Sequence, residues 1–216
     1  MNKGICYIIG AAPFELPSSF SKTEKDIIIC ADGGLKTLED LLITPDICVG
    51  DFDSLGYTPE NENTIVFNKE KDETDTFLAY IEGKKLGYSK FIIFGGMGGN
   101  RPEHTFANLQ LLSYMAKRGE RGLLIGENTI ITAISEEKIK FPETSRGYVS
   151  VFCFGDNAEG VNIKGLKYEC TDASLKNDFP LGVSNEFTGK EAEISVKKGV
   201  LTVLWHDNPE NFSLFL

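Results

Sequence analysis

Asp51 and Asp53 are the strongest chemical signal in the chain: they sit in Gly50-Asp51-Phe52-Asp53-Ser54, directly after the apolar run Ile47-Cys48-Val49, with Asp46 just upstream. Successive strand side chains point to opposite faces, so acids at i and i+2 that have just left a strand end can aim at one point. Two carboxylates about 4 Å apart repel by roughly 1 to 4 kcal/mol at effective dielectrics of about 80 to 20, a cost that a bound cation removes. A divalent metal site is the economical reading. All-oxygen ligands select a hard ion, and Mg2+ in particular takes one or two carboxylates and leaves its other positions to water and substrate phosphates.

Three further segments share that setting. Asp32-Gly33-Gly34 follows the apolar run 27–31, Lys71-Asp72-Glu73-Thr74-Asp75 precedes a helical pattern, and Gly95-Gly96-Met97-Gly98-Gly99 follows the run 91–94. Open α/β sheets bind ligands beyond the carboxyl ends of their strands, so one sheet edge would collect carboxylates, glycines and a lysine. Paired glycines let backbone approach a ligand closely, and the next helix N-terminus favours phosphate. Each segment also has a plain structural reading. The glycines can be turns, Asp72, Thr74 and Asp75 can cap a helix, and Asp51 to Ser54 can be an exposed turn. Their joint placement at strand ends favours a metal and polyphosphate site. Arg101, after the glycine loop, can clamp a phosphate or stack on a base, or simply be an exposed loop arginine. His104 can serve as a neutral hydrogen-bonding group or as a structural residue.

These residues need elements to hold them. Runs at 5–9, 27–31, 47–49, 64–67, 91–94 and 123–125 are short, continuous and rich in Ile, Val or Phe, as strands covered on both faces should be. Helical patterns fill 35–42, 74–86 and 104–118; in the last of these Phe106, Leu109, Leu112 and Met115 recur every three residues, between Pro102 and Gly119. Alternating strands and helices predict an α/β domain over residues 1–126, with a mostly parallel sheet and helices on both faces. From 127 to 216 strand-like runs continue at 129–134, 148–154, 161–166, 193–196 and 200–205 without helical periodicity, which predicts a smaller all-β sandwich or barrel.

A length of 216 residues with 41% hydrophobic content suffices for a real core. The formal net charge of -10 argues against a nucleic-acid partner, which calls for a basic face. Five cysteines, odd in number and without C-x-x-C spacing, suit reduced, buried thiols. No segment approaches the roughly 20 apolar residues of a membrane span, and the start Met1-Asn2-Lys3-Gly4 lacks a signal-peptide pattern, so a soluble cytoplasmic protein is expected.

The ordered set resembles the thiamine pyrophosphokinase family. It comprises Asp32-Gly33-Gly34, Pro45-Asp46 with Gly50 to Ser54, Lys71 to Asp75, and Gly95-Gly96 through Arg101, Glu103, His104 and Asn108. Gly165-Leu166-Lys167-Tyr168 and Ser184-Asn185-Glu186-Phe187 extend the likeness to nearly the whole chain. The resemblance implies transfer of a pyrophosphoryl group from ATP to the hydroxyl of thiamine with Mg2+, giving AMP and thiamine diphosphate, in a homodimer with a C-terminal β sandwich. It implies metal and pyrophosphate handling by Asp51, Asp53 and Asp75, with Lys71 and Asp72 beside them. Asp32, Gly33, Gly34, Ser54, Thr74, Gly95, Gly96, Gly98, Gly99, Arg101, His104 and Asn108 fall on the ATP side, and Ser184, Asn185 and Tyr168 on the thiamine side. Two departures are Asn100 for the family's glycine and Glu103 for its aspartate. A pyrophosphokinase acting on another alcohol, such as a pterin, and a thiamine or nucleotide sensor without turnover are the alternatives; a phosphatase using Asp51 as nucleophile leaves the second acidic motif unexplained.

Overall fold

A computed structural model of the chain describes residues 3–18, 20–53, 55–60, 62–68, 70–207 and 215. They fall into two compact units, one of residues 1–108 and 124–126, the other of 109–123 and 127–216. The first alternates β1 (Cys6–Ile9), β2 (Ile27–Ala31), α1 (Gly34–Asp40), β3 (Ile47–Gly50), β4 (Thr64–Val66), α2 (Asp75–Lys85) and β5 (Lys90–Phe94). α3 (Pro102–Ala116) and β6 (Arg121–Ile125) each have residues in both units.

Strands neighbour one another in the order β6-β5-β1-β2-β3-β4. β1 pairs in parallel with β2 and β5, β2 with β3, and β3 with β4. Ile8, Ile9, Ile29 and the stretch from Phe91 to Phe94 are fully buried, which is why these strands read as unbroken apolar runs rather than as alternation. The chain steps outward from β1 through β2 to β4, then returns to the far side of β1 with β5. Strand order therefore reverses between β1 and β5, the point at which such sheets open a crevice at their carboxyl edge.

Local chemistry sets the helix ends. Thr74 caps α2, its hydroxyl accepting from the Phe77 N–H at 3.2 Å, while Lys84 and Lys85 occupy the last turn. Pro102 opens α3, where its missing N–H costs nothing. The spacing read for α3 is only partly its inner face: Leu112 and Met115 are buried together with Leu111, whereas Phe106 is 68% exposed.

Asp46 lies away from the acids with which the sequence groups it. It precedes β3 and Asp51 follows it, so four strand residues, about 13 Å of rise, separate them. At that opposite edge Asp46 accepts from the Ile28 N–H at 2.7 Å and pairs with Lys22 at 2.6 Å. Asp26 ties the same edge, accepting from the Ile5 N–H at 2.6 Å and from the Thr23 N–H and hydroxyl at 2.8 and 2.7 Å. Burial pushes the Asp26 carboxyl up, but these donors and Lys22 outweigh it and leave it below the usual range. A carboxyl lowered by folding stabilises the fold above its unfolded value and loses that contribution as pH falls through its folded value. Asp26→Ala should therefore cost about 1–2 kcal/mol at neutral pH. In urea titrations the gap from wild type should close on strong acidification, and a gap constant with pH would refute the assignment.

The second unit is all β: β7 (Thr129–Ser135), β8 (Lys138–Phe141), β9 (Tyr148–Cys153), β10 (Asn157–Lys164), β11 (Cys170–Lys176), β12 (Gly182–Glu186), β13 (Ala192–Ser195) and β14 (Val200–His206). Strands β12-β9-β14-β7 form one antiparallel run, with β6 next to β7, and β11-β10-β13-β8 form a separate four-stranded antiparallel sheet. Phe141 of β8 meets Trp205 of β14 edge-on at 5.2 Å, with Phe187 and Phe215 packed on the same ring at 5.0 and 5.5 Å. Two layers joined by this cluster make the expected sandwich. Three of its strands, β8, β11 and β12, lie outside the apolar runs read from the sequence.

All five cysteines carry free thiols, and only Cys170 is less than fully buried. Burial raises the Cys6, Cys153 and Cys170 thiols. Cys30 and Cys48 are register partners on β2 and β3, and the hydrogen bond between them holds Cys30 in its protonated form.

Candidate active site

A cleft of about 350 Å3 opens at the carboxyl edge of the first unit. Gly10 to Pro13 after β1, Ala31 at the end of β2 with Asp32 after it, Asp75 and Thr76 of α2, and the loop after β5 through Gly95, Gly96 and Gly98 to Arg101 line it, with His104 and Asn108 of α3. It sits at the reversal of strand order. The β1 and β5 loops are zipped together past the strand ends, Gly10 N–H donating to Phe94 O at 2.8 Å and Ala12 N–H to Gly95 O at 3.0 Å.

Two glycines explain why the backbones can run so close. Gly95 has φ +62°, and a Cβ there would strike the Gly10 carbonyl; a Cβ on Gly34 would strike the Ile9 carbonyl, so α1 can start against β1 only because that side chain is absent. Gly33 and Gly34 thus build the helix start and do not line the cleft. Gly98 differs, since open space surrounds its Cβ position and its φ is +80°. Asp32 and Phe52, on the loops beyond β2 and β3, also hold left-handed backbone, at φ 44° and 56°.

Asp51 and Asp53 do not continue the strand alternation. Phe52, buried to 2% exposure, turns the chain, and the Asp53 N–H donates to Asp51 Oδ1 at 3.2 Å. The turn reading is right for the backbone. It still delivers the Asp51 carboxylate to Lys71, whose ammonium lies 3.7 Å from Asp51 Oδ2 and 2.5 Å from Asp75 Oδ1. Burial pushes the Asp75 carboxyl up, Lys71 pulls it down, and the negative charges of Asp32 and Asp51 push it up again; the balance lies above the ordinary aspartate value. Acids from separate stretches therefore converge, with a lysine cation seated between two of them.

That seated cation tests whether the residues fit a divalent ion. A positive charge is already stabilised between Asp51 and Asp75, and two carboxylates are the protein share that Mg2+ takes at phosphate sites. Among the described residues no group of three His, Cys, Asp or Glu side chains is arranged to hold a metal. Asp53 and Asp72 are exposed. Ser54 lies outside the described residues.

Beyond the glycine loop Arg101 is exposed, its Nε donating to Glu103 Oε1 at 2.8 Å, so the departure at Glu103 keeps a carboxylate beside the guanidinium. Asn108 is 2% exposed and donates its side-chain N–H to Gly96 O at 2.6 Å, while Gly98 N–H donates to the Thr105 hydroxyl at 3.2 Å. One face of α3 thus fixes the glycine loop at two points, which makes Asn108 and Thr105 positioning residues. Asn108→Ala should cost about 1–3 kcal/mol of stability by orphaning the buried Gly96 carbonyl. Urea unfolding checks it, and unchanged stability would dismiss the role. Sequence reading missed Thr105 and the β1 loop from Gly10 to Pro13; the glycine directly after the first strand was the available signal.

In the second unit Asn185 is buried and clamps Tyr168, accepting from its N–H at 2.9 Å and donating to its carbonyl at 2.7 Å. Ser184 has φ 58° and donates its N–H to the Ser150 hydroxyl at 3.0 Å. The Asn185 side chain thus organises the turn from Gly165 to Tyr168, and the Tyr168 ring, 62% exposed, is what that turn presents.

Several solved structures share the fold. Thiamine pyrophosphokinase from Bacillus subtilis is 24% identical, with a TM-score of 0.81 over 95% of this chain and 100% of that one. Thiamin pyrophosphokinase from Geobacillus thermodenitrificans is 23% identical, with a TM-score of 0.79 over 95% and 98%. The yeast enzyme is 15% identical, with a TM-score of 0.75 over 100% and 90%. No protein of curated function matches the chain by sequence. Family models do: the catalytic domain of thiamin pyrophosphokinase matches residues 21–123, and its vitamin B1 binding domain matches residues 136–201. With both domains present in order over most of its length, the chain belongs to the thiamin pyrophosphokinase family.

Proposed function

We propose that this thiamine pyrophosphokinase binds ATP in the carboxyl-edge cleft of residues 1–126 and thiamine on residues 127–216, and transfers the pyrophosphoryl group at the carboxylates of Asp51 and Asp75. The observation that carries the reading is the convergence of those two acids on Lys71 at the edge of a cleft walled by a glycine loop. Phosphoryl-type transfer asks a protein mainly to align groups and neutralise charge, and alignment alone contributes about 7 to 11 kcal/mol in well-oriented systems.

The roles follow from position. Asp51 and Asp75, with Asp53 alongside, would hold Mg2+, which supplies charge stabilisation on the transferred group when bound. The glycine loop offers its backbone to the phosphates, and Arg101 and His104 stand at its helix end. Lys71 adds positive charge to phosphate oxygens. Asp75, or Asp72 on the exposed loop before it, would orient the thiamine hydroxyl or take its proton. Tyr168, held by Asn185, would offer an aromatic face for thiamine, with Ser184 adjoining Asn185 along the chain.

The exposed apolar side chains of Tyr148, Phe152, Phe179, Leu181 and Val183 on and near β9 and β12 support a homodimer. Light scattering should return twice the mass of the chain; the monomer mass at micromolar concentration would count against it. Free thiols support a cytoplasmic location. No described helix is long and apolar enough to cross a membrane.

Incubation with thiamine, ATP and Mg2+, followed by mass detection, tests the activity. AMP and thiamine diphosphate in equal amounts are expected. Turnover of a pterin alcohol but not thiamine would move the acceptor, and tight binding without AMP would make the protein a sensor.

A further inference from the structure

We infer that Lys71 is a built-in counter-cation: its ammonium holds Asp51 and Asp75 together in the ligand-free protein and is displaced onto the nucleotide phosphates when a divalent ion takes its place. The inference rests on the metal-dependent reading above and deepens it by assigning an order to ligand entry.

The three charged side chains are largely withdrawn from solvent, Lys71 to 13% exposure, Asp51 to 21% and Asp75 to 25%. The two carboxylates would repel without a cation between them, and Lys71 supplies it from within the chain. The ammonium also stands 5.9 Å from the centre of the Phe67 ring, which steadies its apolar stem. Thr74 begins α2 between Lys71 and Asp75. Asp75 is thus fixed in the first helical turn, while Lys71 belongs to the preceding loop and can swing without unwinding the helix.

A divalent ion on the oxygens that face Lys71 repels an ammonium a few ångströms away. Binding of metal alone then breaks an ion pair and leaves Lys71 without its partners in a partly buried place, which weakens the apparent affinity. A polyphosphate arriving with the metal gives the ammonium a new anion. Metal and nucleotide therefore favour each other's binding, and by linkage the effect is reciprocal.

The test uses the full chain and Mn2+, whose free form is counted by electron paramagnetic resonance, with and without a non-hydrolysable ATP analogue. Without nucleotide, Lys71→Met is expected to bind Mn2+ at least tenfold more tightly than wild type, and Lys71→Arg about as weakly as wild type. The analogue should raise Mn2+ affinity by a larger factor in wild type than in Lys71→Met. Should Lys71→Met melt below the assay temperature, Lys71→Gln, which keeps a donor for Asp75, carries the same comparison. If Lys71→Met binds Mn2+ no more tightly than wild type while Asp51→Asn binds it more weakly, the counter-cation role is wrong and the carboxylate metal site stands. If Asp51→Asn binds Mn2+ as wild type does, the metal site assigned to these acids falls, and this inference with it.

Discussion

Asp51→Asn and Asp75→Asn should each lower kcat for thiamine diphosphate formation on the order of a thousandfold, the scale reached when a group that stabilises transition-state charge is lost. Each change is isosteric and removes one negative charge from a partly exposed position, so the fold should survive, and circular dichroism should overlay with wild type. The two carboxylates share one cation at 3.7 and 2.5 Å, so the double variant should lose little more than either single one, as residues that act as a unit are not additive. Asp72→Asn, on an exposed loop, should cost far less. The raised Asp75 carboxyl adds a sign. Its carboxylate form is the one proposed to hold the cation, so Mn2+ binding to the nucleotide-free protein should weaken on acidification from above the ordinary aspartate range. A folded Asp75→Asn protein releasing AMP and thiamine diphosphate at the wild-type rate would end the proposal.

Phe141→Ala should have the largest effect on stability, a loss of about 3–5 kcal/mol. Phe141 is 1% exposed, and its ring touches Trp205, Phe187 and Phe215, so the truncation opens a void where the two β layers meet. Trp205, itself fully buried, cannot relax into that space without leaving its place on β14. For a chain of this size the loss corresponds to a fall in Tm of roughly 6 to 20 °C by calorimetry. A drop of a degree or two would mean that the cluster is not the closure of the sandwich.

Elements of the first unit were legible because burial on both faces leaves unbroken runs such as Ile27 to Ala31 and Phe91 to Phe94, and because Thr74 and Pro102 mark helix starts chemically. The strands that escaped have reasons of their own. β8 alternates Lys138-Ile139-Lys140-Phe141, too short to stand out, whereas β11 and β12 are polar and largely exposed edge strands whose pairing, not their composition, makes them strands. The site was legible in its parts, since Asp32, Asp75, the glycine loop, Arg101, His104 and Asn108 do meet at one cleft. Asp46 was grouped with Asp51 because nearness along a chain says nothing about which end of a strand a residue occupies. Gly34 leaves room for the Ile9 carbonyl and the Asn185 side chain binds backbone rather than open space, a distinction that only the close approach of other chain segments can make.

The unbridged cysteines have a practical corollary. A thiol reacts as its thiolate and only where a reagent reaches it: Cys6, Cys30, Cys153 and Cys170 hold their protons more tightly than usual, and Cys48, though lowered by its hydrogen bond with Cys30, is fully buried. The native protein should therefore stay nearly silent toward maleimides, apart from slow modification at Cys170. A cysteine engineered at exposed Asn100 would then take a fluorophore selectively, making the glycine loop an optical reporter of occupancy without removal of any native sulfur.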